Sequence, residues 1–220
     1  MSELDPKERF TDRVADYVKH RPSYPGETLD ILAREANLAK GCEVCDLGSG
    51  TGILTRLLLE RGAKVWAIEP NDAMRRAAES ASQNHSRFHS VAASAEDTTL
   101  ADQSVDLITA AQAFHWFDPR ATREECARIL RPGGKVALMW NSRDALDTPF
   151  LVAYEAFLKQ WAKDSYKAAS RSWDVEHERF GAFFTGPPTL HSSENIQKLD
   201  LPGLTGLTFS GSHMAKPQST

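Results

Sequence analysis

Residues 43–52 read Glu-Val-Cys-Asp-Leu-Gly-Ser-Gly-Thr-Gly, an apolar strand-forming stretch that runs directly into three alternate glycines. The residues beyond place Ile53, Leu54, Leu57 and Leu58 on one side of an amphipathic helix. A strand, a glycine turn and a helix in that order open a βαβ unit, which commits the chain to an α/β fold built on a parallel sheet. Gly48, Gly50 and Gly52 carry no Cβ, so the backbone can turn at positive φ and a ligand can lie against its peptide groups, with the positive end of the helix beyond it. The spacing narrows the ligand. A dinucleotide fingerprint has glycine at positions one, three and six, but position six counted from Gly48 is Ile53. The pattern is Asp-x-Gly-x-Gly-x-Gly.

The remaining chain continues the strand–helix beat. Helices are predicted over residues 8–19 and 26–37, separated by Arg21-Pro22-Ser23-Tyr24-Pro25, where two prolines force a rigid elbow. Strands are predicted at Glu43 to Leu47, Lys64 to Ile68, near Phe88 to Ala92, Val105 to Ala110 and Lys135 to Trp140. Gly62 is expected to end the helix after the glycine turn, Asn71 or Asp72 to cap the next, and Asp118-Pro119 to supply an N-cap and an N1 proline for the one after. Leu130-Arg131-Pro132-Gly133-Gly134 reads as a helix stop and turn. The expected fold is a Rossmann-like, doubly wound, mostly parallel sheet with helices on both faces and ligands at the carboxyl ends of the strands. Within this single domain, residues 1–40 form an N-terminal helical lid, 41–142 the ligand-binding core, and 143–220 a helical substrate cap and C-terminal sheet edge, with a strand near Ser192 to Leu199.

Composition limits the class. With 220 residues, 41% hydrophobic and 25% charged, the chain can bury a full core. No apolar run approaches a membrane span and no secretory leader is visible, so a cytoplasmic protein with no membrane partner is expected. A net charge of −4 without a basic block argues against a nucleic-acid partner. Three cysteines suit a reducing compartment. Cys42-x-x-Cys45 has the spacing of redox and zinc sites, but Cys45 lies inside a strand and no second ligand pair follows, so buried thiols are expected and no metal.

With its strand, turn and helix, the chain resembles class I S-adenosylmethionine (SAM) dependent methyltransferases. Ala111-Gln112-Ala113-Phe114-His115-Trp116-Phe117-Asp118, the Arg-Pro-Gly-Gly segment and the early Tyr17...Arg21-Pro22-Ser23-Tyr24-Pro25 resemble the small-molecule, type 11 group that includes trans-aconitate methyltransferases. The resemblance implies SAM as cofactor. Asp46 would orient the loop of Gly48, Ser49 and Gly50, and the helix N-terminus would face the methionyl carboxylate. Glu69, 21 residues beyond Gly48, would accept hydrogen bonds from the ribose hydroxyls, with Pro70 and Met74 flanking the adenine. Ser94 stands where many relatives carry an Asp for the adenine amine, which passes that contact to Glu96 or a backbone group, and Ala95 is counted with Glu96 among the cofactor-binding residues. Ala111 and Gln112 follow the fourth strand into the cleft. Arg21 and Tyr24 would form a lid over the sulfonium, with bracing of the elbow as the other reading, and Tyr17 and Arg21 are counted among the cofactor-binding residues. Phe114 and Trp116 read as packing residues.

His115 is the candidate general base for a hydroxyl or carbon-acid acceptor, whereas a carboxylate acceptor needs none. The expected function is transfer of a methyl group to a small molecule by a monomer or homodimer. An NAD(P)-dependent oxidoreductase could also use Glu69, and a non-catalytic SAM-binding module is a third reading. The family's chains continue past the position of Thr220 into a final strand, so the edge near Ser192 to Leu199 is expected to lack its partner and to invite dimerisation.

Overall fold

The computed structural model describes residues 14–142, 148–161, 173–211 and 214. Five strands form one sheet: β1 (Glu43–Leu47), β2 (Lys64–Ile68), β3 (Phe88–Val91), β4 (Val105–Ala111) and β5 (Leu130–Met139). Their order is β3-β2-β1-β4-β5 and every pairing is parallel. The order reverses direction beside β1, between β2 and β4, where a doubly wound sheet opens a crevice at its carboxyl edge.

The helices are α1 (Val14–His20), α2 (Gly26–Ala36), α3 (Ile53–Glu60), α4 (Asp72–Ser82), α5 (Pro119–Ile129), α6 (Pro149–Trp161), α7 (Trp173–Phe183) and α8 (Leu201–Ser210). The two-residue period of β1 assigns its sides. Val44 packs with Val65 and Leu107 under Leu29 and Leu32 of α2 and Leu54 and Leu58 of α3. Cys45 and Leu47 face the other way, into a cluster with Ile108, Phe114, Cys126, Ile129 and Phe183. Cys45 and Cys126 are free, buried thiols whose pKa values burial pushes up, that of Cys126 to about 12. A smaller cluster joins α6 to the C-terminal part through Leu158, Tyr154, Phe209 and Met214, and the Tyr154 hydroxyl lies 2.9 Å from that of Thr208. Gly206 of α8 lets the ring of His20 approach its backbone.

Asn71 caps α4 by accepting from the Met74 N–H at 3.0 Å, and Asp118 caps α5 by accepting from Arg120 and Ala121, both at 2.9 Å, as their residue types predict. Of the first predicted helix, residues 8–13 lie outside the described residues.

Two expectations fail. Arg131-Pro132-Gly133-Gly134 is not a turn outside the sheet; pairing resumes at Leu130, and the segment bulges out opposite Asp106 before Lys135 meets Leu107. Asp106 holds the bulge, one oxygen accepting from Arg131 at 2.8 Å and the other from the Glu43 N–H at 2.9 Å. Residues 192–199 are not a strand, so they form no sheet edge to invite dimerisation. Ile196 and Leu199 are exposed, and the segment is tied by side chains to the elbow: Asn195 donates to Ser23 O and to Asn141 Oδ1, both at 2.8 Å, and Gln197 donates to His20 O at 3.1 Å. Among the described residues no helix is long and apolar enough to cross a membrane.

Candidate functional site

The site begins at Asp46, which period two places on the α3 side of β1, across from Thr109 of β4. Its carboxylate is 1% exposed and accepts from Thr55 Oγ1 at 2.6 Å and Thr109 Oγ1 at 2.8 Å. Burial pushes its pKa up to about 6 against the opposing pull of the two hydroxyls. Asp46 thus ties β1 to β4 and to α3; the hydroxyls that hold it were not anticipated. Their signal is the register itself, since Thr109 follows Leu107 on the same face.

The chain then turns through Gly48, Gly50 and Gly52, all at positive φ, the first at +62°. A Cβ on Gly48 would stand 2.6 Å from Ala113 Cβ and 3.2 Å from Phe117 Cζ. The glycine is therefore required by the loop after β4 that closes against it, in addition to any ligand. Ser49 Oγ and Thr51 Oγ1 are buried and have no hydrogen-bond partner among the described residues. A buried hydroxyl without a partner is costly unless something else supplies one.

Glu69 ends β2, nearly buried, and both its oxygens are oriented by backbone: Oε2 accepts from the Gly50 N–H at 2.9 Å and Oε1 from the Asn71 N–H at 2.8 Å. Burial raises its pKa, and these two bonds partly offset that. Each oxygen retains a further lone pair. Past β3, Glu96 accepts from the Asp118 N–H at 2.9 Å, joining the third strand end to the loop after β4. That loop begins with Gln112, which adopts φ +57° and donates from Nε2 to Asn141 O at 3.0 Å.

These pieces surround a cavity of about 210 Å³. The glycine strand and turn contribute Asp46, Gly48, Ser49 and Gly50; the end of β2 contributes Glu69, Pro70 and, from α4, Met74. Ala95 and Glu96 line it from the third strand end, Ala111 and Gln112 from the fourth, and Tyr17 from α1. Tyr24 of the elbow also lines it, and burial is the main cause raising both tyrosine pKa values. Two predicted residues stand apart. Arg21 lies behind the wall, its guanidinium 4.9 Å from the Tyr17 ring and Nη2 3.4 Å from Ser210 O. His115 is in a 3₁₀ turn (Phe114–Trp116), its ring 4.7 Å from that of Trp116, and does not line the cavity. Phe114 is fully buried, as expected of packing, but Trp116 and Phe117 line the cavity, against the packing expectation for Trp116.

The lining has one electrostatic character. Asp46, Glu69 and Glu96 contribute carboxylates, and no lysine, arginine or histidine is among the lining residues described. The site thus favours a ligand carrying positive charge and hydroxyl donors, and disfavours a polyanion.

Comparison with known proteins agrees with this geometry. A family described as "Methyltransferase domain" matches residues 45–138. An uncharacterized methyltransferase of Mycobacterium tuberculosis is 42% identical over 135 residues, covering 61% of this chain and 53% of that protein. An uncharacterized methyltransferase-like protein of Schizosaccharomyces pombe is 33% identical over 182 residues, 79% of this chain and 66% of that one. The solved structure of a candidate type II methyltransferase from Anaeromyxobacter dehalogenans is 30% identical, covers 79% of this chain and 70% of its own, and superposes with a TM-score of 0.58. The chain spans about half the length of the first of these relatives.

Proposed function

We propose, from the premise that this chain belongs to the class I SAM-dependent methyltransferase family, that it binds SAM in the cleft at the carboxyl ends of β1, β2 and β4 and transfers its methyl group to a small-molecule acceptor. The observation that carries the reading is the charge of the lining. SAM is net positive through its sulfonium and ammonium and suits a wall whose charged side chains are carboxylates, whereas the glycine turn lacks the third glycine that a dinucleotide fingerprint has at position six, where Ile53 stands. The residues fit SAM. Glu69, with a lone pair left on each oxygen, suits the two ribose hydroxyls; Ser49 and Thr51 offer buried hydroxyls that still need a partner; Pro70 and Met74 offer apolar surface to the adenine.

Bound SAM supplies a methyl group already activated by the sulfonium. What remains for the protein is alignment and exclusion of water. Tyr17 and Tyr24 roof the cavity from the N-terminal side, and Trp116 and Phe117 wall it from the loop after β4. Holding two reactants in line can contribute on the order of 7–11 kcal/mol, against about 3–5 kcal/mol for a general base worth about 10² to 10⁴ in rate. Positioning therefore dominates. A carboxylate acceptor fits a site in which His115 stands off the wall, and a hydroxyl acceptor is the second choice.

Calorimetry with SAM, S-adenosylhomocysteine and NADH tests the cofactor. Binding of the first two and not the third is expected; binding of NADH alone would overturn the reading. Transfer of labelled methyl from SAM to a panel of small carboxylic acids and hydroxylated metabolites then identifies the acceptor, and its absence across a broad panel, with SAM bound, would favour a non-catalytic binding module.

A further inference from the structure

The loop after β4 walls the cleft with Trp116 and Phe117, yet a principal anchor of that loop comes from far along the chain. Ala113 O accepts the Trp116 N–H at 2.9 Å and Phe114 O accepts the Phe117 N–H at 3.1 Å, closing one 3₁₀ turn. A helix this short leaves its carbonyls mostly unserved. Arg179 of α7 adds a donor to Phe114 O, which already accepts within the turn, and supplies one to Phe117 O at its end. Its Nη2 donates to Phe114 O at 3.0 Å and to Phe117 O at 2.6 Å, and its guanidinium lies 5.4 Å from the centre of the Phe114 ring. Phe183 of the same helix meets Phe114 edge to face at 5.0 Å. Glu96 accepts the Asp118 N–H, so the peptide between Phe117 and Asp118 is held at both its carbonyl and its N–H. Phe117, thus fixed, closes to within 3.2 Å of where a Gly48 Cβ would be.

We propose that Arg179 is a positioning residue for the cofactor. Its guanidinium sets the distance between the loop after β4 and the glycine turn, and through it the C-terminal helices and the cofactor cleft behave as one unit. Both bonds leave Nη2, whose two N–H groups are held in the rigid guanidinium plane that also lies against the Phe114 ring; a lysine ammonium could donate to the same carbonyls, but on a flexible stem and without that flat face. The proposal rests on the SAM reading above.

The test compares SAM affinity and thermal stability in the full chain for wild type, Arg179→Met, Arg179→Lys and Phe184→Leu. Phe184 packs on Phe180 and Phe183 of α7, so its change loosens the helix without touching the loop carbonyls. Arg179→Met should weaken SAM binding about tenfold or more, Arg179→Lys by an intermediate factor, and Phe184→Leu by less than twofold while still lowering the melting temperature. Affinity within twofold of wild type in Arg179→Met would overturn the proposal, leaving Arg179 a residue that only docks a helix. Should that variant not fold, Arg179→Lys decides by the same criterion. If wild type binds no SAM, the cofactor reading falls, and the clamp is judged by amide exchange at Phe117 and Asp118. Exchange about tenfold faster in Arg179→Met than in Phe184→Leu supports it; equal rates overturn it.

Discussion

Gly48→Ala isolates the demand that the fold itself makes on the glycine turn. Two penalties add. At φ +62° an alanine occupies the left-handed region, which costs a residue with a Cβ about 1–2 kcal/mol. The new methyl would also stand 2.6 Å from Ala113 Cβ, where carbon atoms normally rest about 3.5–4.0 Å apart, so roughly 1 Å must be absorbed by two backbones already fixed by hydrogen bonds. Overpacking of that kind costs about 1–3 kcal/mol. The sum is a loss of about 2–5 kcal/mol, a large share of a typical domain's stability. Ala113→Gly removes the obstructing methyl at a cost of about 1 kcal/mol on its own. In the double variant the steric penalty shrinks to the residual contact with Phe117 at 3.2 Å, while the backbone penalty stays. Urea denaturation of the four proteins, with m-values compared, should therefore give a favourable coupling of about 1–3 kcal/mol between the two changes. Additivity within about 0.5 kcal/mol would refute the contact, and a Gly48→Ala variant as stable as wild type would refute the whole argument.

Glu69→Ala should weaken SAM binding by about 1–3 kcal/mol, the range for losing charge-assisted hydrogen bonds, and unchanged affinity in calorimetry would move the ribose contact elsewhere. Asp46 titrates near 6 in the fold against 3.8 as its ordinary value, so its protonated form favours the folded state. That contribution, about 3 kcal/mol, is fully present below about pH 4 and is lost as pH rises through 6. Asp46→Asn should flatten this part of the stability profile and gain stability above pH 6; an unchanged slope between pH 4 and 6 in urea titrations would contradict the assignment. His115→Gln should leave SAM affinity within about twofold, because the ring lies off the cavity wall. A turnover loss of about 10² or more with its low-pH limb abolished would identify it as a base after all.

The first two strands were legible because each is a short run rich in aliphatic residues that stops at a glycine or a carboxylate; Glu43–Leu47 and Lys64–Ile68 have the bounds expected of them. Much of the lining of the cavity was legible too, since strand ends deliver side chains at countable positions. What escaped was set by tertiary contact. Pro132 and Gly133 look like a boundary, and Asp106, reaching across to Arg131 and Glu43, helps to keep them within a strand. Residues 192–199 are expected to form a strand, but the amide of Asn195 finds the Ser23 carbonyl of the elbow and that of Gln197 the His20 carbonyl before it, instead of a neighbouring ladder. His115 was chosen for its chemistry, while the backbone turn sends Trp116 and Phe117 to the wall. Arg179 could not be read at all, because the carbonyls that it serves are 65 and 62 residues away.

The strand order has a kinetic consequence. Pairs such as Val65↔Phe88 close 23 residues, but Val44↔Leu107 must close 63, and joining β4 to β1 is what brings Gln112, Trp116 and Phe117 up to the glycine turn. Distant pairings form late, after the chain entropy of the intervening loop has been given up. The crevice is thus the seam between an early half and a late half of the molecule, and it does not exist until they join. A small molecule seated there should leave the refolding rate almost untouched and slow the escape from the native state, lengthening the protein's lifetime by a factor of one plus the ratio of its free concentration to Kd.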